Sequence, residues 1–389
     1  MTDIAKSKVE IGLALQGGGA LGAYECGAVT ALLELMEDAA ALGRSITLKC
    51  VTGVSIGAIN AACVVGAKSF GDARARLDAL WDDLTLQSPS FWPQDVRRDL
   101  SLFGLPGFYT PRADLWAFAG WTSYYDTSPL IDTLKRRVDF PALNASDTSF
   151  VVTAVDVTAG TLQRFRNRAA RAGHPDDDGP AEIEARHVLA SGSLPPQFPW
   201  TPVGNRIYWD GGIVDNTPLG DVIDAFTPDD SVDRLLVAMN LYPLRGRMPV
   251  NMAAVDDRLH ELQLGNRMRE DPETARRINA LVETIEEFAK LHPPKDAWLQ
   301  ARLEEARRYK VIDAITQIDF QDPSDGPVPA VQDPSDDVDG LRDFSPPTVA
   351  RRRHAGYDFA RRKLLPLFAN HGLAAPAAVA AVSAPVGSA

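Results

Sequence analysis

The sequence predicts an α/β fold with a mixed, mainly parallel sheet, helices on both faces and a helical C-terminal extension. Three features predict it. Strand-like and helix-like runs alternate through the N-terminal part, glycine-rich turns stand at the ends of the first two strands, and from Val250 the chain turns helical and highly charged.

Ile11, Leu13 and Leu15 alternate with small residues over 10–16, the period of a strand, and a helical run follows over 19–37. A second strand over 47–53, carrying Leu48, Cys50 and Val51, leads into 55–67, a helix of small residues suited to packing close against a sheet. The next helix, 72–84, places Leu77, Leu80, Trp81 and Leu84 on one apolar face. Strands over 149–157 and 161–166 are joined through Thr158-Ala159-Gly160, which makes the sheet mixed. Two more are expected at 205–209 and 234–241.

Between Trp81 and Tyr125 the chain is dense in aromatics, among them Phe91, Trp92, Phe103, Phe108, Tyr109, Trp116, Phe118 and Tyr124, with Gly and Pro between them. We expect this insertion, 81–126, to be a helical cap packed on the sheet, since most aromatics are core; a lid, an acyl-binding wall or an interfacial surface is the alternative. Beyond it, Val255, Leu259 and Leu262, then Ile278, Leu281, Val282 and Ile285, then Leu299, Leu303 and Ala306 form helical stripes. A strand-like run over 311–320 is placed to return to the sheet edge. The acidic, Pro-rich segment after it, where Gln321-Asp322-Pro323-Ser324-Asp325 recurs at Gln332, lacks the spacing of a calcium loop and reads as a loop. A last helix over 347–367 carries Arg351-Arg352-Arg353 and Arg361-Arg362-Lys363, expected to pair with the protein's own acidic surface. The organisation is thus a main α/β domain over 9–245, a mostly helical extension over 246–370 and a flexible tail over 371–389.

A net charge of −12 and 45% hydrophobic residues describe a chain with ample core and no electrostatic case for nucleic acid or for capture by anionic lipid. Cys26, Cys50 and Cys63 are odd in number and lack metal-ligand spacing, so buried thiols in a reducing compartment are expected. With no secretory signal and no apolar run near the roughly 20 residues of a membrane span, the expected location is cytoplasmic, with peripheral lipid contact at most.

The chemistry lies in three glycine-rich turns. Gly53-Val54-Ser55-Ile56-Gly57, between a strand and a helix, is the pattern of a nucleophile elbow, in which a tight backbone leaves the serine hydroxyl exposed. Such a pattern arises by chance in roughly one chain in ten of this length, so its surroundings decide. Gly17-Gly18-Gly19 presents bare backbone amides, and Asp210-Gly211-Gly212, after the strand-like Arg206 to Trp209, turns sharply enough to aim a carboxylate at Ser55.

The order and spacing of these turns resemble the patatin-like phospholipases and acyl hydrolases. Ala190-Ser191-Gly192-Ser193-Leu194-Pro195 and Asp210-Gly211-Gly212-Ile213-Val214-Asp215-Asn216-Thr217-Pro218 match further patterns of that family, and the likeness spans 9–242. It implies a patatin-like three-layer fold. It implies a Ser55-Asp210 dyad, an oxyanion hole from the amides of Gly17, Gly18 and Gly19, and supporting roles for Gly53, Gly57, Gly211 and Gly212. The activity implied is hydrolysis of lipid or other acyl esters through an acyl-enzyme, with no cofactor and no metal. One position departs from the family: Leu21 stands where a cation is frequent, which weakens the case for a phospholipid headgroup. The alternatives are a Ser-Asp-His esterase, thioesterase or hydroxyalkanoate-ester hydrolase drawing on His260, His292, His354 or His371, and a dinucleotide-binding module built on Gly17-x-Gly19-x-x-Gly22.

Overall fold

The computed structural model describes residues 8–89, 91–93, 96–97, 100–168, 181–228, 231–242, 248–249, 252–265, 271–306, 311–320 and 341–374. The acidic segment 321–340, His174 and the tail from 375 lie outside the described residues.

β1 (Lys8–Leu15) is an interior strand of an eight-stranded sheet. Its alternation works as read: Ile11, Leu13 and Leu15 enter the larger of two apolar cores, and Ala14 enters the smaller one on the opposite face. A 3-10 turn, Gly19–Leu21, leads into α1 (Gly22–Ala41), then β2 (Ser45–Gly53), α2 (Ile56–Val65) and α3 (Phe70–Leu84). The helix expected from residue 19 therefore begins as a tighter turn. The insertion holds β3 (Thr110–Pro111) and β4 (Tyr125–Asp126), a small antiparallel pair. After it come α4 (Ser128–Arg137), α5 (Phe140–Ala145), β5 (Ser149–Asp156), β6 (Thr161–Arg166), α6 (Ala185–Ser191), β7 (Thr201–Val203) and β8 (Arg206–Asp210). The chain continues through α7 (Leu219–Ala225), β9 (Val232–Asn240), α8 (Met252–Gly265), α9 (Asp271–Leu291), α10 (Ala297–Ala306), β10 (Ala314–Asp319) and α11 (Pro346–Asn370).

The strand order is β10-β9-β1-β2-β5-β8-β7, with β6 on β5. The pairs from β10 to β5 are parallel; β6, β7 and β8 add antiparallel pairs, so the sheet is mixed and mainly parallel. Helices cover both faces. Apolar residues of α1, α2 and α3 fill the larger core, whereas Leu219 and Val222 of α7 fill the smaller one. The strand expected at the sheet edge is β10, parallel to β9.

The described residues past α3 do not make up the helical cap expected over 81–126. Past α3 the described residues of that stretch hold a helical pair at 96–97, the 3-10 turns Leu100–Phe103 and Leu115–Gly120, a bridge between Leu105 and Tyr109 and the β3-β4 pair, and Gly104, Pro106, Gly107 and Pro111 interrupt any longer run. Leu105, Phe108 and Tyr109 do join the core, but Phe91 is 83% exposed and Trp116 88%, and Phe103, Phe118 and Tyr124 are also exposed.

The basic clusters of α11 meet acidic residues as anticipated: Arg353 pairs with Asp78 and Arg361 with Glu34, whose carboxylate also accepts from the Tyr357 hydroxyl. Residues 371–374 are folded, with Leu373 buried and its amide on the Phe368 carbonyl. The three cysteines are free and buried, and burial raises each thiol to about 12. Among the described residues no helix is long and apolar enough to cross a membrane.

Candidate active site

One ladder brings two of the three turns together. β6 occupies one edge of β5, so β2 and β8 share the other: Gly53 of β2 pairs with Val152, and Asp210 of β8 pairs with Ala154. The two strands run in opposite directions and end on the same short stretch of β5. The residues that leave them meet.

Ser55 leaves β2 with φ 54° and ψ −123°, and is the one non-glycine residue at positive φ among those described. Backbone held there costs about 1–3 kcal/mol, which the surrounding packing must offset. The turn is possible because α2 starts hard against the end of β1: a Cβ on Gly57 would lie 2.6 Å from the Leu15 carbonyl, and one on Gly53 would lie 2.5 Å from the Gly57 carbonyl. The Ser55 amide donates to Ser191 Oγ at 2.9 Å, which ties the elbow to the end of α6.

Asp210 is buried at the end of β8. Its amide donates to the Ser193 carbonyl at 3.0 Å, and its Oδ1 accepts from the Gly212 amide at 2.8 Å. Gly211 makes the turn by lying on β5, where a Cβ would meet the Thr153 carbonyl at 2.4 Å. Burial pushes the carboxyl from 3.8 up to about 7, against the opposing pull of the hydrogen bond from the Gly212 amide and of the nearby Ser55 side chain.

The glycine loop differs from the expectation in one respect. The amide of Gly17 does not face an open site: it donates to Asn216 Oδ1 at 3.1 Å, and Asn216 Nδ2 returns a bond to the Gly17 carbonyl at 3.1 Å. Its neighbour Ala20 donates to the Leu341 carbonyl at 3.0 Å. Between them, the amides of Gly18 and Gly19 have no partner among the described residues, and Gly19 sits at φ 52°. The donors free to serve an oxyanion narrow from three to these two.

Several supporting groups carry no sequence signal of their own. Asn216 and Ser191 fall inside matched patterns, yet only the fold shows that they hold the glycine loop and the elbow. Glu25 is wholly buried in α1; its two carboxylate oxygens accept from the Gln16 amide at 2.8 Å and from Asn60 Nδ2 at 2.9 Å, and burial raises its pKa to about 8. Asn60 Oδ1 in turn accepts from the Trp81 indole at 3.0 Å. Gln16 Oε1 accepts from the Leu241 amide at 2.6 Å, and its Nε2 donates to Thr217 Oγ1 at 2.9 Å. The strand before the loop is thereby bonded to both core and C-terminal flank.

The histidines are employed elsewhere. His187 Nδ1 accepts from the Glu184 amide at the start of α6; His354 pairs with Asp358, His371 with Asp233, and His292 packs on Phe288; His260 lies on α8. No group of His, Cys, Asp and Glu residues that could hold a metal ion occurs among the described residues.

Residues 13–223, more than half of the chain, match the family model described as patatin-like phospholipase. No curated protein sequence matches at a significant level. Similar solved structures include VipD from Legionella pneumophila, 16% identical, covering 94% of this chain and 67% of that one with a TM-score of 0.38. Human GIVD cytosolic phospholipase A2 is 14% identical, covering 97% of this chain and 60% of that one, with a TM-score of 0.39. The type III effector ExoU of Pseudomonas aeruginosa is 14% identical, covering 92% and 53%, with a TM-score of 0.34. This chain spans about half to two thirds of the length of these structures.

Proposed function

The chain belongs to the patatin-like phospholipase family of serine hydrolases acting on lipid esters, and from that premise we propose that it cleaves carboxylic esters through an acyl-enzyme on Ser55 with Asp210 as the base. The observation that carries this reading is that β2 and β8 end on the same short stretch of β5, which brings the Ser55 elbow beside a buried Asp210 whose pKa is raised to about 7. An ordinary aspartate, near 3.9, is a weak base at neutrality; one raised by burial is matched to the task.

In this mechanism Ser55 Oγ attacks the ester carbonyl as Asp210 takes the hydroxyl proton. The amides of Gly18 and Gly19 donate to the oxyanion, each worth about 3 kcal/mol in comparable sites. The tetrahedral intermediate collapses, and the departing alkoxide takes the proton from Asp210. Water then attacks the acyl-enzyme by the same route, giving its proton to Asp210 and returning it to Ser55 Oγ as the acid leaves. Gly17 serves as the hinge that Asn216 holds.

Two surface features favour a lipid substrate. Exposed Ile213 and Val214 follow the Asp210 turn directly. The aromatic insertion is seated on the loop that runs on from Ser193, with the amides of Tyr124 and Tyr125 donating to the carbonyls of Pro196 and Gln197. Its outward Trp116, Phe118 and Tyr124 suit contact with a lipid-water boundary, and the ion pair beside them, Arg112 with Asp114, is internally neutral. A neutral or zwitterionic interface fits this surface better than an anionic one. The dinucleotide alternative lacks support, since the end of β2 carries the serine elbow where an acidic ribose ligand is required.

The test is covalent capture. A fluorophosphonate probe should label the wild-type protein and leave Ser55→Ala unlabelled, with ester turnover lost in the same variant while its circular dichroism is unchanged. Labelling that persists in Ser55→Ala would remove the assignment.

A further inference from the structure

The family match ends at residue 223, yet the glycine loop is held from a segment more than a hundred residues beyond it. We infer that the C-terminal segment from Leu341 through α11 is a clamp that sets the conformation of the oxyanion loop, with Leu341 and Phe344 as positioning residues. This rests on the hydrolase reading and assigns a role to a part of the chain outside the matched region.

Three contacts build the clamp. First, the Leu341 carbonyl takes the Ala20 amide at 3.0 Å and also covers Gly19, where a Cβ would stand 2.5 Å from that oxygen. Gly19 is at φ 52°, a conformation that glycine alone adopts without cost, so the loop is pinned at the residue whose amide would face the substrate. Second, Phe344 anchors the segment three residues on. Its ring stacks on Trp81 at 6.2 Å and meets Phe108 edge-on at 5.8 Å, while its carbonyl accepts from the Leu86 amide at 2.9 Å. The buried Asp343 accepts from the Ser345 amide and Thr348 Oγ1, which fixes the chain's entry into α11. Third, α11 crosses α1 at backbone contact. A Cβ on Gly27 would lie 1.9 Å from the Arg353 carbonyl, and one on Gly356 would lie 2.0 Å from the Tyr24 carbonyl. These distances leave no room for slack. α1 begins directly after the glycine loop, so any movement of α11 off α1 is transmitted to both ends of the segment that carries Gly18 and Gly19.

The physical consequence concerns the transition state more than the substrate complex. Oxyanion donors act on charge that develops during reaction, so a loop free to relax loses kcat with little change in KM. Misplacement by about 1 Å is enough to cost on the order of a hundredfold.

The experiment uses the full chain. Phe344→Leu shortens the anchor and keeps an apolar side chain; Gly356→Ala pushes the helices apart; Asp358→Asn, whose carboxylate pairs with His354 on α11 itself, is the control. Active sites are counted by fluorophosphonate titration, and kcat and KM for a soluble short-chain ester are measured per titrated site, well below each melting temperature. Phe344→Leu and Gly356→Ala should lose about tenfold to a hundredfold in kcat, with KM within about twofold and the control unchanged. A merely structural role would lower the melting temperature and the titrated fraction but leave kcat per site intact, and that result overturns the inference. Should Gly356→Ala fail to fold, the milder Phe344→Leu decides alone. A wild-type protein that neither labels nor turns over ester sinks the hydrolase reading instead, so the two failures are distinguishable.

Discussion

Replacing Asp210 by asparagine should move activity and stability in opposite directions. Burial raises this carboxyl from 3.8 to about 7, roughly three units, and at about 1.36 kcal/mol per unit the native protein carries up to about 4 kcal/mol of cost in keeping it ionised. The sign follows from proton binding. Between about pH 4 and pH 7 the folded state holds a proton that the unfolded state has released, so stability falls as pH rises through that window, and the full cost applies above it. Asparagine keeps an oxygen for the Gly212 amide and never ionises. Asp210→Asn should therefore equal the wild type near pH 4 and exceed it by an amount approaching, but below, about 4 kcal/mol near pH 8, measured by urea unfolding across that range. Glu25, raised to about 8 by the same cause, gives both proteins a parallel fall with pH, and their difference isolates Asp210. Activity should behave otherwise: kcat of the wild type should rise with pH through an apparent pKa near 7 and drop by about a thousandfold in the variant, as loss of a member of a catalytic unit commonly does. Parallel stability profiles would refute the desolvation argument, and undiminished turnover would refute the base.

Alanine at His187, His260, His292, His354 or His371 should leave kcat within about tenfold, because none is bonded to the serine; a single histidine whose loss matches that of Asp210, in a variant that melts normally, would turn the dyad into a triad. Leu21, buried at 5% exposure beside the glycine loop, offers no cation to a phosphate, so uncharged esters should be cleaved at least as well as phospholipids of equal chain length at the same interface, and a strong phospholipid preference would contradict this.

What was legible in the sequence is what short-range geometry dictates. Alternation in β1, small residues in α2 and glycines flanking Ser55 and following Asp210 each act within a few positions of the chain, so strands and the turns that carry Ser55 and Asp210 are readable from sequence. The unread part is long-range. A glycine amide looks the same in sequence whether it faces a substrate or, as at Gly17, an asparagine about two hundred residues later. Leu341 acts through a main-chain carbonyl, which leaves no side-chain signature at all. The aromatic insertion misled for another reason: without helical or alternating period, nothing in Trp116 or Phe118 distinguishes an inward ring from an outward one, and the prior that aromatics are core was applied to residues that face solvent.

The interior place of β1 in the sheet also bears on how the molecule comes into being. Lys8 pairs with Ser45 on one side and with Val232 on the other. During synthesis β1 finds one neighbour early and waits for the second through roughly 190 further residues. Closing so long a loop is slow, and in the interval the edge of β1 stands open with Ile11, Leu13 and Leu15 only half enclosed. An open apolar strand edge invites pairing with other chains. The nascent polypeptide is thus most exposed to misassembly after Ser55 has been synthesised and before β9 has arrived, and its yield in cells should depend on whatever shields that edge meanwhile.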